Sequence, residues 1–249
     1  MDDLVITTFA ERPEYIERLY EMDDTWPQFT GYDQVAGALF WQVVPTFPEF
    51  CVIATTSAGR PVARGRAIPF SLATWSPDGS LPPGGWRRAL SCGIEDHLTG
   101  QKPDVVSALE VAVDPACLNQ GLSARMLAAM RDAAAAAGFG ELIAPVRPNR
   151  KHLQPRLPLA EYIALKRDDG LPIDPWLRVH VRAGGVIDQV APVSFVVAGS
   201  LAQWRGWTGL PFDTDGPVEV PEALVPVHCD LAHDHAVYVE PNIWVRHLL

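Results

Sequence analysis

The 249-residue sequence predicts a mixed α/β fold, and three observations carry that expectation. In LEVAVDPACLNQGLSARMLAAMR, residues 109–131, Leu109, Val111 and Val113 alternate as one face of a strand. After a glycine turn, Leu122, Met126, Leu127 and Met130 recur at helical spacing. Second, residues 50–55 and 62–68 read as an antiparallel hairpin closed by Ser57-Ala58-Gly59-Arg60. Third, 48% hydrophobic and 20% charged residues is a globular composition, in a chain long enough to bury a sizeable core.

In chain order, residues 4–9 read as a first strand and 13–22 as a helix with Pro13 in its first turn. An aromatic loop, Trp26 to Gly31, leads to Asp33, which caps a helix through Val44 with Val35, Leu39, Phe40 and Val43 on its apolar face. Pro, Gly and Ser make 71–85 a loop, and 86–98 is a helix whose Glu95, Asp96 and His97 read as a solvated face. The helix after Gly121 stops at Gly138, and 141–146 is a short strand broken by Arg147-Pro148-Asn149. Residues 151–174 read as an insertion with a helix over 159–166, followed by a helix from Trp176 that ends near Gly184. Beyond it, strands are expected at 193–197, 225–229, 236–239 and 243–246, with a helix at 201–207. We expect a core over 1–190 and, over 191–249, closing strands and a C-terminal extension of the same domain.

Composition excludes several classes of function. The acidic opening MDDLVITTFAERPEYIERLYE lacks the basic and apolar regions of a signal peptide, which implies a cytoplasmic protein without a membrane span. Cys51, Cys92, Cys117 and Cys229 are scattered, with no C-x-x-C, and read as reduced thiols. A net charge of −10 without a Lys/Arg run argues against nucleic-acid binding and suits a cationic acceptor such as an amine. His228, His233 and His235 with Asp230 and Asp234 form a metal-like cluster that we read as a solvated hairpin turn, so no metal is expected. No G-x-G-x-x-G follows an early strand, and no G-x-S-x-G elbow is present.

The 109–131 junction has its own chemistry. The first turn of a helix carries unpaired N–H groups and the positive end of the dipole. Gly121 allows close approach, so in the turn begun at Asn119, itself a cofactor-binding candidate, the amides of Gln120, Gly121, Leu122, Ser123 and Ala124 can cradle a phosphate or pyrophosphate, or the junction is an ordinary strand-to-helix turn. The stretch VAVDPACLNQGLSARML resembles the acetyl-CoA signature of the GCN5-related N-acetyltransferase superfamily, V-x-P-x-x-(R/Q)-x-x-G-x-(G/A) before a Leu-rich helix. Val113, Pro115, Gly121 and the region of Leu127 fit; Leu118 and Ser123 depart from it. By order of elements the resemblance covers about residues 3–190.

The resemblance implies a mostly antiparallel sheet flanked by helices, with a splayed parallel pair formed by the central strand and 141–146. It implies acetyl-CoA as acyl donor, its pantetheine arm pairing with the backbone of Val111, Ala112 and Val113, and Asn149 touching the cofactor or simply following Pro148 in a turn. Aligned on Gly184, His180 stands where the family often has the Tyr that protonates the departing thiolate, with Tyr162 as the fallback acid; His180 can equally be a plain helix-face residue. Glu110 points away from the apolar face of its strand between small neighbours, which makes it the candidate base, or a structural ion pair. Trp26, Phe29, Tyr32 and Trp41 either line an acceptor pocket or are core. The expected activity is acetyl transfer to a small amine by direct attack in a ternary complex. A non-catalytic acyl-CoA-binding domain of the same fold is the alternative, and a homodimer is compatible with the sequence.

Overall fold

A computed structural model describes residues 4–23 and 25–249. Residues 1–3, the first of the expected core, lie outside the described residues. The strands are β1 (Val5–Thr8), β2 (Val52–Thr55), β3 (Pro61–Phe70), β4 (Val105–Val113), β5 (Glu141–Val146), β6 (Val186–Ser200), β7 (Gly216–Val218), β8 (Val227–Asp230) and β9 (His235–Leu248). The helices are α1 (Gln34–Leu39), α2 (Val43–Thr46), α3 (Leu72–Trp75), α4 (Gly85–Thr99), α5 (Leu122–Ala136), α6 (Leu159–Ala164), α7 (Pro175–Arg182) and α8 (Leu201–Thr208).

The described strands form one sheet in the order β1-β2-β3-β4-β5-β9-β8-β7, with β6 also paired to β9. Neighbours are antiparallel except β4 and β5, which run parallel. This is the expected mixed sheet. Every residue of β3 is buried because helices cover both of its faces. On one face, a Cβ on Gly65 would lie 2.7 Å from Met130 Sδ of α5. On the other, a Cβ on Gly93 of α4 would lie 2.4 Å from Ile68. Alternate residues of a strand point to opposite faces, so Arg64 and Arg66 share the α4 side with Ile68.

α5 forms as its spacing predicts: Leu122, Met126, Leu127, Met130 and Ala134 are buried, and Gly138 at φ +88° turns the chain out. Asp33 caps α1, accepting from the amides of Val35 (2.9 Å) and Ala36 (3.0 Å). The expected helix over 13–22 is only a 3-10 turn at Pro13–Tyr15, and the helix after Asp33 is divided by another at Phe40–Gln42. The solvated reading of Asp96 is corrected. It is buried, and its carboxylate accepts from the Ser71 amide (2.6 Å) and Trp75 Nε1 (2.9 Å), pinning the loop before α4.

The last sixty residues are integral to the sheet. β9 runs unbroken where two strands were expected, pairing with β5 from Val146↔Ile243 to Glu141↔Leu248 and with β6 along its length. All four cysteines are free and buried. Among the described residues no His, Cys, Asp and Glu group has the makings of a metal site, and no helix is long and apolar enough to cross a membrane. His233 is exposed and binds Asp230 through Nδ1 at 2.8 Å.

Candidate active site

β4 and β5 pair only at Val106↔Leu142 and Ser107↔Ile143 and then diverge. The divergence begins at a bulge. Arg66 of β3 faces Glu110, but the next residue, Ala67, faces Ala108, so Leu109 is an extra residue on β4. The Leu109 carbonyl is satisfied by Trp86 Nε1 of α4 at 2.8 Å. Beyond the bulge, the β4 edge facing β5 has no strand beside it, and a cavity of about 150 Å³ occupies the gap.

This groove starts at Leu118, Ser123 and Leu127, follows Val111 and Val113 on one side and Pro145, Val146 and Asn149 on the other, and ends at Trp176 and His180. At its first end the backbone is set for an anion. Asn119 and Gly121 adopt φ of +60° and +74°, nothing lies within 4 Å of where a Gly121 Cβ would stand, and the first turn of α5 has no side-chain cap. Its amides are therefore free for an outside acceptor. Of the expected cofactor residues, Val111, Val113, Ser123 and Asn149 line the groove. Asn119, Gln120, Gly121 and Ala124 are exposed at its mouth, while Leu122 is core and Ala112 is buried away from the lining.

A second cavity, of about 280 Å³, adjoins the first. Tyr20, Phe40, Arg64 and Arg66 line it, and Trp26, Trp86, Leu109, Glu110 and Phe195 belong to both walls. Trp86 stacks on Phe195 (4.5 Å) and meets Phe40 edge-on (5.0 Å). Glu110 is 6% exposed. Arg64 donates to both of its oxygens at 3.1 Å, and Arg66 Nε stands 3.0 Å from Oε2, off the hydrogen-bond line. Glu110 is thus ion-paired, as one of its two sequence readings has it, and it lines both cavities.

His180 is 2% exposed at the far end of the groove, its Nδ1 2.9 Å from His247 Nε2 of β9. Burial, reinforced by His247, pushes its pKa down to about 3; burial, with Arg131 nearby, pushes His247 down to about 4. Both rings are neutral at pH 7. One proton lies in the shared contact, and His180 Nε2 has no protein partner among the described residues. The supply of imidazolium expected at neutral pH is therefore absent. Tyr162 lines neither cavity: its hydroxyl donates to Asp174 Oδ2 at 3.0 Å, and burial raises its pKa. The fallback acid is thus a structural tie to the cap of α7.

Of Trp26, Phe29, Tyr32 and Trp41, Trp26 lines both of these cavities and the other three line neither. Phe29 packs on Trp204 and Tyr238, Tyr32 stacks on Trp207, and Trp41 is exposed. The residues that sequence reasoning missed are Arg64, Arg66, Phe195 and His247. The signal for the arginines is present: two charges at alternate positions inside the apolar run VARGRAI must share a face and demand buried partners.

The sheet is thus parted between two parallel strands, with an uncapped glycine-led helix at the mouth of the gap and a buried carboxylate at its waist. No family model matches the chain. It is 35% identical over 274 aligned positions to the arginine N-acetyltransferase avaD of Aspergillus versicolor, an alignment covering 97% of this chain and 93% of that protein. The loading GNATL domain of CurA from Lyngbya majuscula shares the fold with a TM-score of 0.60 at 17% identity, over 98% of this chain and 97% of that one. The GphF GNAT-like decarboxylase in complex with isobutyryl-CoA does so with a TM-score of 0.55 at 17% identity, over 98% of each chain. The chain belongs to the GCN5-related N-acetyltransferase superfamily and is an N-acetyltransferase acting on an amine.

Proposed function

We propose that the protein moves an acetyl group from acetyl-CoA to the amine of arginine, or of a closely similar small amine, by direct attack in a ternary complex. The observation that carries this reading is the wall shared by the two cavities at Glu110. A donor in the β4–β5 groove and an acceptor in the aromatic pocket meet there, and proximity does much of the work in such a transfer. The donor fits the groove's own chemistry: the uncapped amides of Leu122, Ser123 and Ala124 suit a diphosphate, and the unpaired β4 edge at Val111 to Val113 suits an amide-bearing arm. The relative's name supports arginine, and the neighbour bound to isobutyryl-CoA supports a CoA thioester.

The thioester supplies an activated carbonyl. Glu110, with lone pairs beyond those bound by Arg64, accepts a proton from the acceptor's ammonium and leaves a free amine to attack. The nitrogen sheds one more proton and the sulfur takes one, so the transfer itself needs no external acid. His180 carries that proton only after acquiring it in the reaction, since its resting form is neutral.

Release of free thiol from acetyl-CoA, measured against a panel of amines that includes arginine, tests the reading. We expect turnover with arginine and a loss of about 10²-fold or more in kcat/KM for Glu110→Gln. Thermal stabilisation by CoA with no thiol release for any amine would leave only a binding domain and overturn the proposal.

A further inference from the structure

The site contains a buried cation, Arg66, that is ion-paired but makes no aligned hydrogen bond: its Nε stands 3.0 Å from Glu110 Oε2. Arg66 is 1% exposed, lies on the wall of the aromatic pocket and faces Glu110 across the β3–β4 ladder. No hydrogen bond from any of its N–H donors is present among the described residues, and its Nε is sealed from solvent. Aromatic faces hold the guanidinium, with Cζ 4.2 Å from the Phe40 ring centre and 5.5 Å from that of Tyr20. The buried Lys151 and the half-buried Arg147 are better served. Lys151 donates to three carbonyls, and Arg147 donates to both Glu240 oxygens and to the Glu222 carbonyl. A buried guanidinium without hydrogen bonds is costly, and a carboxylate offers its fork two parallel acceptors.

We infer that the acceptor carries a carboxylate beside its amine, that is, it is an α-amino acid, and that Arg66 binds that carboxylate. The inference deepens the proposed acetyl transfer and rests on it. Arg66 and Glu110 are cross-strand neighbours of opposite charge, about 5 Å apart at Cα in such a ladder. An α-amino acid bears its ammonium and carboxylate on one carbon, so its head group matches this pair charge for charge: ammonium on Glu110, carboxylate on Arg66. That placement aims the nitrogen at the shared wall and lays the side chain along Trp26, Phe40 and Tyr20. Aromatic faces favour a cationic side chain such as that of arginine, but selection by Arg66 acts on the head group.

The test compares arginine, lysine and phenylalanine with their α-carboxamides, which keep the amine and lose the anion, using full-length protein and acetyl-CoA. We expect kcat/KM at least 100-fold higher for the amino acid, mostly through KM. Arg66→Gln should collapse that ratio to within a few-fold, and Arg66→Lys, which keeps the charge but loses the fork, should restore part of it. Titration calorimetry of arginine and argininamide into the CoA-loaded protein reads the same contact without turnover and needs no variant to fold. Absence of thiol release with retained preference for arginine over argininamide would sink the acetyl-transfer reading while sparing the carboxylate site. Equal binding and equal kcat/KM for acid and amide in the unaltered protein would overturn the role of Arg66, as would failure of every amino acid to bind or react.

Discussion

At the scale of single residues, the His180–His247 pair links the groove to acid stability. Both imidazoles are buried, and their pKa values fall from the ordinary 6.5 to about 3 and about 4. In the unfolded chain both take up protons near pH 6.5, so between there and about pH 4 the unfolded state binds more protons than the folded one. Their contribution to stability is complete above pH 6.5 and is lost as pH falls through that window, by up to about 1.4 kcal/mol per pH unit for each ring. Thermal melts at pH 7.5 and 5.5 should show a marked drop, and the double variant His180→Gln/His247→Gln should flatten it; a profile of equal steepness in the variant would refute the assignment. The same residue-level logic separates His180 from Tyr162. Both are buried, but the His180 ring keeps a nitrogen without a partner, whereas the Tyr162 hydroxyl is spent on Asp174.

At the scale of elements, two local irregularities create the site. The bulge at Leu109 takes β4 away from β5, and the left-handed turn through Asn119 and Gly121 aims the α5 amides at the gap it leaves. Gly121→Ala tests the second. Open space surrounds the position, so the cost is backbone strain alone, about 1–2 kcal/mol for an L-residue at φ +74°. Relief of that strain would rotate the amides, so the KM for acetyl-CoA should rise about tenfold or more with little change in the KM for the acceptor. An unchanged donor KM in a folded variant would show that the turn does not hold the diphosphate.

At the scale of the whole molecule, the 151–174 segment and the C-terminal strands brace the site. Lys151 is the tie between them. Fully buried, with its pKa lowered by burial, it donates to the carbonyls of Gln154, Pro155 and Leu224. Lys151→Met keeps the apolar stem but leaves the buried Leu224 carbonyl and two part-buried carbonyls without this donor, at a cost of about 2–4 kcal/mol. For a chain of this length that is a fall of roughly 4–16 °C in Tm, readable by calorimetry; a Tm within 2 °C of the parent would mean that water replaces the ammonium. Arg147, Glu240, Asn242 and Ser194 extend the same bracing to the Trp86 amide, so C-terminal strands hold the first turn of α4 at the shared wall.

The sequence by itself determined the elements whose cause is local. Periodicity marked α5 and the strand before it, glycine marked both ends of that helix, β5 was placed at its observed bounds, and the motif over 109–130 disclosed the family. Glu110 was legible because a charge in an alternating apolar strand has one face to occupy. Tertiary structure decided the rest. Phe195 reaches the pocket from more than eighty residues beyond Glu110 in sequence, His247 meets His180 only because β9 returns beside β5, and Asp96 is buried by a loop no periodicity foretells. Arg66 shows the division most plainly. Its strand and its face follow from alternation, but whether a buried cation finds its partners within the chain depends on what folds over it. Here Glu110 lies against its Nε, while aromatic rings and a cavity cover the rest of the guanidinium.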